Sequence, residues 1–257
     1  PFRGAGAINR AIVSGALDMA YQAMTGVILG VSRGIPLVAV AERARAENYI
    51  WVKSDSLILK PAHLKGTTFG TTRMGGVFQA YVRAAFRRLG LEKDVKFVST
   101  GGHGAFLAAM KTGKIHSAIL KPVDAIPLLL KGEIRPLISI NRFFPKEYVY
   151  DTIAVHKPLV DKNPGLVRRA VRSLLQSDDF IRQNKPWAEK QLTETLNYTP
   201  KAASMVADVV RVDIAAASLK ISRKAVENVR NFLIEYKLAD ENKVPPVDEL
   251  FTNRFVD

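Results

Sequence analysis

Hydrophobic and polar positions follow two different periods along the chain. Apolar residues at helical spacing predict a helix over residues 76–89, with Arg83, Arg87 and Arg88 on its polar face. Continuous apolar runs such as PLVAVA at residues 36–41 are typical of strands buried on both faces. The repeated alternation of such elements predicts an α/β fold with mostly parallel sheets flanked by helices.

The same patterns predict short elements before residue 151 and a mainly helical last third after it. Three helix starts support the second part, because Asn163, Thr199 and Ser222 are good caps and proline follows the first two. The predicted strands lie at residues 17–21, 36–41, 50–52, 56–59, 65–71, 95–100, 117–120 and 136–140. The predicted earlier helices lie at residues 6–14, 25–32, 76–89 and 104–111.

An internal repeat is the most informative feature of the sequence. Residues 4–20 (GAGAINRAIVSGALDMA) and 102–118 (GHGAFLAAMKTGKIHSA) share glycine and alanine positions that are 98 residues apart. Each copy has the pattern of a glycine loop, a helix, a glycine stop and a strand. Shortly afterwards, GIPLVAVA at 34–41 resembles GEIRPLISIN at 132–141. Two ordered matches indicate a pair of similar α/β lobes.

The repeat predicts a discontinuous division of the chain. We expect lobe one to comprise residues 1–65 and 151–257, and lobe two to comprise residues 66–150. The helices predicted after Asp151 need a sheet on which to pack, and we therefore assign them to lobe one. The chain would cross between the lobes near Leu64 and near Asp151, and these two crossings are the expected hinge.

The repeat also predicts a segment upstream of Pro1. Lobe two begins with a strand at 65–71 and a helix at 76–89, whose counterparts one repeat earlier would precede the first residue. We therefore expect roughly 35 further residues that supply the first strand and helix of lobe one. An export signal would accompany them.

Composition and charge exclude several classes of function. The chain has no cysteine, which excludes disulfides, thiolate metal sites and cysteine nucleophiles. Its four histidines lack the spacing of metal ligands, and we expect no metal. The net charge of +14 favours acidic partners, but the motifs and interleaved aromatic residues of a nucleic-acid surface are lacking. No apolar run approaches the roughly 18 residues of a membrane span.

Six motifs resemble, in order, those of one protein family. They are AIVSGALDMAYQAMTG (11–26), GIPLVAVA (34–41), LKGTTFGTT (64–72), RRLGLEKDVKFVS (87–99), AAMKTGKIHSAILKP (108–122) and NPGLVRRAVRSLL (163–175). Together they resemble the periplasmic binding proteins of the nitrate/sulfonate/taurine type, which include binders of thiamine precursors. His116 departs from the pattern, because the family usually has Asp before this strand; we interpret the position as structural.

The resemblance implies a fold, a location and a partner. The fold would be the two-lobed periplasmic-binding-protein type 2 fold, in which hinge strands join the lobes and the ligand lies between them. The location would be the periplasm, after export. The partners would be a small-molecule ligand and the membrane permease of an ABC transporter, to which a monomeric binding protein delivers that ligand.

One set of candidate ligand-binding residues lies where strands end, because open α/β sheets bind ligands beyond the carboxyl ends of their strands. Tyr21 can also stack on a planar ligand, although a core role is an alternative. Glu42 and Lys121 have the alternative of being ordinary surface charges. The set is Tyr21, Gln22, Glu42, Thr100 and Lys121.

A second set lies in loops that open helices, where N–H groups and the positive end of the helix favour anions. Gly4, Ala5 and Gly101 belong to two such glycine loops, although plain turn geometry explains either loop equally well. The run Thr71-Thr72-Arg73 lies between a strand and a helix. Its threonines can cap that helix or bind ligand oxygens, and arginine pairs bidentately with carboxylates or sulfonates.

These observations predict the substrate-binding component of an ABC importer, which captures a small anionic or acidic solute. We expect a binding protein and not an enzyme, with no catalytic residue and no cofactor. The alternative is an enzyme on the same two-lobed fold, of the menaquinone-pathway or pyrimidine-precursor type. The cysteine-rich motif of the latter type has no counterpart here. A regulatory effector-binding domain is a third class, for which the chain offers no helix-turn-helix segment.

Overall fold

The computed structural model describes residues 5–45, 47–215 and 219–256. Strands and helices alternate in the first part and helices dominate the last, which confirms the predicted α/β class. None of the described helices combines the length and the apolar character needed to cross a membrane. In chain order the elements are α1 (Ala5–Val13), β1 (Met19–Ala23), α2 (Met24–Val31), β2 (Leu37–Ala44), β3 (Tyr49–Lys53), β4 (Thr68–Thr71), α3 (Val77–Arg88), β5 (Lys96–Ser99), α4 (Phe106–Lys111), β6 (Ser117–Leu120), α5 (Pro122–Leu130), β7 (Ile134–Ser139), β8 (Asp151–His156), α6 (Lys157–Lys162), α7 (Pro164–Gln183), α8 (Lys185–Leu196), α9 (Pro200–Ala215) and α10 (Arg223–Glu235).

The chain forms two compact units. Unit one comprises Pro1–Ala46, Pro145–Asn184 and Arg211–Asp257, and unit two comprises Glu47–Phe144 and Lys185–Val210. The first crossing lies earlier than the predicted boundary at residues 65–66, because β3 pairs with β6 and β7 of unit two.

The C-terminal helices also divide differently from the prediction, which assigned residues 151–257 to lobe one. α8 and most of α9 belong to unit two. There, Ala202 and Val206 of α9 pack on Ile126 of α5, so burial of the α5 surface holds these helices in unit two.

The sheet of unit one has three strands in the order β1-β8-β2. The central strand β8 is antiparallel to both neighbours, and Ala154 lies opposite both Ala20 and Ala39. Val167 and Val171 of α7 pack against one face of this sheet. The interior of unit one is therefore a sheet whose apolar strands are covered by long amphipathic helices.

The sheet of unit two has five strands in the order β5-β4-β6-β3-β7. β4 is parallel to β5 and β6, whereas β3 is antiparallel to β6 and β7. Helix α4 packs closely on it, because a Cβ at Gly70 would lie 2.5 Å from Cδ1 of Ile115 and 3.4 Å from the Phe106 ring. Glycine at this position therefore lets β4 and the α4 region meet.

Strand direction corrects one prediction. The sheets are mixed rather than mostly parallel, since four of the six pairings between described strands are antiparallel. All four involve β3 or β8, each of which runs against every other strand of its sheet. A buried apolar run identifies a strand without identifying its direction, which is decided by where the chain enters the sheet.

The predicted strand at residues 56–59 is wrong. This segment is irregular, and Leu57 is 89% exposed. Nη2 of Arg135 donates to the carbonyl oxygens of Ser56 and Ile58, at 2.9 Å each. The segment therefore lies outside the sheet and is held by a side chain of β7 that lies far along the sequence.

Candidate functional site

Three neighbouring parallel strands of unit two end at one edge of the sheet. Thr71 is the last residue of β4 and is paired with Ser99, the last residue of β5. Thr100 follows β5, and Lys121 follows β6 as the N-cap residue of α5. The structure therefore brings Thr71, Thr100 and Lys121 to the same carboxyl edge, where α/β sheets bind ligands.

Hydrogen bonds hold the two loops at this edge together. The amide of Thr100 donates to the carbonyl oxygen of Thr71 at 2.8 Å, and its hydroxyl donates to the same oxygen at 3.2 Å. The Ser99 hydroxyl donates to the carbonyl oxygen of Thr72 at 3.1 Å. Gly101 follows with φ +83°, a backbone conformation that residues with a side chain rarely adopt.

The Thr71 side chain has a structural role at this edge. Its hydroxyl is completely buried and donates to the carbonyl oxygen of Arg73 at 3.4 Å. Thr72 is half-buried beside it. These contacts fix the loop that leads from β4 to α3, so the Thr71 side chain positions this loop.

Arg73 is exposed at the tip of that loop, four residues before α3 begins at Val77. Among the described residues it has no carboxylate partner. The N-cap residue of α3 is Gly76, and no side chain caps the helix. An uncapped helix N-terminus with an exposed arginine in the preceding loop favours an anion.

Three buried polar residues lie side by side on neighbouring strands of the sheet of unit one. Gln22 of β1 and Glu42 of β2 both lie opposite Thr152 of β8. The Thr152 hydroxyl donates to the carbonyl oxygen of Gln22 at 3.0 Å. Arg45 donates to both oxygens of Glu42, at 3.0 and 3.3 Å, so the charge of this carboxylate is compensated.

Gln22 is only 4% exposed, and among the described residues neither Nε2 nor Oε1 of its carboxamide has a hydrogen-bond partner. It lies beside Gly26, where a Cβ would be 3.1 Å from Gln22 Oε1 and 2.5 Å from the Cβ of Ala5. Ala5 is the first residue of α1, so Gly26 lies close both to the Gln22 carboxamide and to the first turn of α1. The predicted site residue Gly4 lies outside the described residues.

Tyr21 is part of a charged cluster on the other face of this sheet. Its hydroxyl donates to Oδ2 of Asp151 at 2.9 Å, and the Arg43 guanidinium carbon lies 4.7 Å from its ring centre. Arg43 in turn donates to both oxygens of buried Asp178, at distances of 2.6 to 3.1 Å. Burial, followed by the Asp151 charge, raises the pKa of Tyr21, so the phenol stays protonated.

Sequence reasoning missed Arg43, Asp151 and Asp178. Arg43 and Asp178 are 135 residues apart, and Tyr21 and Asp151 are 130 residues apart. The one available signal was the position of Arg43 next to Glu42 at the end of a strand. The cluster borders a groove of about 410 Å³ whose walls include Met19, Ile153, Leu174 and Ser173.

The structure assigns His116 a structural contact. Its Nδ1 accepts a hydrogen bond from the amide of Thr68 at 3.2 Å. An aspartate carboxylate can accept the same bond, which explains why histidine can replace it. Nothing within the described ranges groups three His, Cys, Asp or Glu side chains as a metal site would need.

Solved structures show the same fold. The periplasmic aliphatic sulphonate binding protein SsuA from Escherichia coli is 17% identical, with a TM-score of 0.80 over 96% of this chain and 79% of that chain. The alkanesulfonate-binding protein SsuA from Xanthomonas axonopodis pv. citri, bound to MOPS, is 16% identical, with a TM-score of 0.80 over 98% and 86%. The desulfurization enzyme DSZB is 16% identical, with a TM-score of 0.67 over 93% and 83%. These similarities confirm the periplasmic-binding-protein fold.

A family model assigns the chain more specifically than the fold similarities do. No curated protein matches the sequence. The family model described as NMT1/THI5 like matches residues 3–186, which is well over half of the chain. This match agrees with the resemblance carried by the six motifs, and the chain therefore belongs to the NMT1/THI5-like family.

Proposed function

We propose that this protein is the substrate-binding component of an ABC importer and that it captures a small anionic or acidic solute. The observation that carries the proposal is the carboxyl edge of unit two. There Arg73 is exposed in the loop between β4 and the uncapped N-terminus of α3, and Lys121 is the N-cap residue of α5. Two helix N-termini and two cationic side chains favour a negatively charged ligand.

The fold neighbours support the transport role. Three are described as sulfonate-binding proteins, two of these as periplasmic, and the third is bound to the sulfonate buffer MOPS. On this proposal the protein is exported to the periplasm and delivers its ligand to a membrane permease. The net charge of +14 would also speed the capture of anions.

Titration calorimetry tests the ligand class. The probes are nitrate, ethanesulfonate, benzoate and, as a cation, choline, each added to the purified chain at pH 7. We expect at least one anion to bind and choline not to bind. Binding of choline without binding of any anion would overturn the anion proposal.

Arg73→Ala tests the site. A charge-assisted hydrogen bond contributes about 1.5–3 kcal/mol, so we expect the Kd of the bound anion to rise by roughly 10- to 100-fold. Arg88→Ala is the matched control, because Arg88 is an exposed arginine at the opposite end of α3. Equal affinities for Arg73→Ala and the unsubstituted chain would remove Arg73 from the site.

An enzyme on this fold is the second candidate. The comparisons do not favour it over a binding protein, and the desulfurization enzyme shows only that this fold also occurs in an enzyme. The two candidates differ in what happens to the bound molecule. A binding protein returns its ligand unchanged after overnight incubation, whereas an enzyme converts it. Mass spectrometry of the probe that binds most tightly in the calorimetric series distinguishes them.

A further inference from the structure

The sheet of unit two has a second edge, opposite the carboxyl edge that carries the candidate ligand site. β4 and β5 begin side by side at this second edge, with Thr68 opposite Lys96, and β6 begins there at Ser117, opposite Val52 of β3. β3 is antiparallel to β6 and β7, so it ends where they begin. We call this surface the amino edge, and it comprises the segments 53–67, 89–96, 111–116 and 131–133.

The amino edge presents two leucines to solvent. Leu57 is 89% exposed and Leu59 is 70% exposed, whereas Ile58 between them is only 7% exposed. Arg135 of β7 holds the backbone here, because its Nη2 donates to the carbonyl oxygens of Ser56 and Ile58 at 2.9 Å each. Buried Ile58 and these two hydrogen bonds therefore fix a conformation in which both leucines face outward. Large apolar side chains that are exposed together indicate an interaction surface, whereas a single exposed leucine does not.

The amino edge is also strongly basic. Each of its four carboxylates has a cationic partner: Asp55 pairs with Lys53 at 3.2 Å, Asp94 with Lys65 at 3.8 Å, Glu133 with Lys111 at 2.7 Å, and Glu92 with Arg83 and Arg87 at 2.7 and 2.8 Å. Five more lysines of this edge are exposed, and within the part of the chain that the structure describes they have no carboxylate partner: Lys60, Lys93, Lys96, Lys114 and Lys131. The amino edge therefore carries uncompensated positive charge around its two outward leucines.

We propose that the amino edge of unit two docks on the surface of an anionic lipid bilayer, with Leu57 and Leu59 inserted among the headgroups and the lysines against the lipid phosphates. Peripheral proteins bind such surfaces through buried apolar area and attraction to anionic lipids, and the two contributions add. Lysine suits this contact, because its ammonium group is a compact charge on a flexible stem and needs no fixed partner geometry. The net charge of +14 favours the same encounter.

An acidic partner protein fits the amino edge less well. The five uncompensated lysines come from four separate segments, so their charge is spread along the sheet rather than gathered at one point. Arginine forks, which recognise individual carboxylates best, are not among them. A bilayer offers many phosphates over a broad plane and matches this spread. The amino edge contains none of the residues of the proposed ligand site, so the proposal is independent of the ligand.

Vesicle flotation of the unsubstituted protein tests the docking. One set of vesicles consists of phosphatidylcholine, and the other contains phosphatidylcholine and phosphatidylglycerol in equal amounts. We expect binding to the vesicles with phosphatidylglycerol alone, and weaker binding as salt is added, because salt screens the attraction. Equal binding to both kinds of vesicle, or binding to neither, would overturn the proposal.

The double variant Leu57→Ser/Leu59→Ser tests the apolar contact. We expect its partition coefficient onto the anionic vesicles to fall at least about tenfold, because the inserted apolar area is lost. Val212→Ser is the matched control, since Val212 is 66% exposed on α9, and it should bind like the unsubstituted protein. Circular dichroism checks that all variants are folded. Unchanged binding of the leucine variant would contradict insertion and overturn the proposal.

A triple variant tests the charge. Each lysine near an anionic bilayer strengthens binding about fivefold, so replacing Lys60, Lys93 and Lys114 by glutamine should weaken it at least about tenfold. The control variant has the same net charge and replaces three exposed lysines of unit one by glutamine: Lys146, Lys157 and Lys162. We expect this control to bind within about twofold of the unsubstituted protein. Equal losses in the two triple variants would assign binding to the overall charge and overturn the proposal.

An environment-sensitive dye shows directly whether the loop enters the bilayer, because the chain contains no cysteine of its own. We expect the emission of a dye on Leu57→Cys to shift to shorter wavelength with the anionic vesicles, and the emission of the same dye on Val212→Cys to stay constant. A soluble polyglutamate serves as the acidic protein probe. A shift of the Leu57→Cys dye with polyglutamate and none with vesicles would assign the amino edge to an acidic protein and overturn the proposal.

Discussion

Replacing Arg43 by alanine tests whether the cluster around Tyr21 is held together by a buried ion pair. The guanidinium donates to Asp178 through three contacts of 2.6 to 3.1 Å, and only 4% of the Asp178 side chain is exposed. Without Arg43 this carboxylate would be left charged and buried. Breaking a buried ion pair in this way costs about 3–5 kcal/mol. Because 23% of the Arg43 side chain is exposed, solvent screening places the expected loss nearer to about 2–3 kcal/mol.

Urea unfolding followed by far-ultraviolet circular dichroism measures this loss. Asp178→Ala and the double variant complete a thermodynamic cycle, and we expect a coupling energy above about 1 kcal/mol. Arg182→Ala is the matched control, because Arg182 pairs with Asp179 on the same helix but both side chains are exposed. That variant should lose less than about 1 kcal/mol. Equal losses for Arg43→Ala and Arg182→Ala, or a coupling energy near zero, would refute the reasoning.

Three further predictions concern other parts of the molecule. Gly26→Ala should lower stability by about 1–3 kcal/mol in urea unfolding, because its Cβ would collide with Ala5 at 2.5 Å, whereas Gly6→Ala meets nothing nearer than 3.8 Å and should be nearly silent. His116→Ala should lower the midpoint of thermal unfolding by removing the acceptor for an amide, and His116→Asp should restore it. Arg87 and Arg83 lower the pKa of Glu92, so its stabilising contribution is complete above its unfolded pKa of about 4.3 and is lost as the pH falls through the lower folded value. Unfolding free energies of the protein and of Glu92→Gln should therefore converge in acid, and a constant difference down to pH 2 would contradict this assignment.

Much of the carboxyl edge of unit two could be predicted from local pattern. Thr71, Thr100 and Lys121 each end or directly follow a segment predicted as a strand, and the strands end where predicted to within one residue. Parallel neighbours then gather these ends at one edge, since every parallel strand leaves the sheet on the same side. Which of these residues contacts a ligand stays a prediction.

Other features could not be predicted because they depend on which distant segments meet. β8 was expected to lie at the start of a helical region, yet it is the central strand of unit one. The pairs Arg43–Asp178 and Tyr21–Asp151 join residues whose side chains look like ordinary surface groups in the sequence. Burial gives such pairs their strength, and burial is a property of the folded chain.

The sequence by itself determined most element types, the internal repeat and the family, because hydrophobic period, caps and glycine stops act over a few residues. The tertiary structure decided strand direction, the crossings between the units and the partners of buried charges. Backbone hydrogen bonds can pair strands of either direction, so an apolar run is compatible with a parallel or an antiparallel strand. The path by which the chain enters the sheet decides between the two directions. That is why β3 and β8 run against their neighbours although their sequences resemble those of the parallel strands.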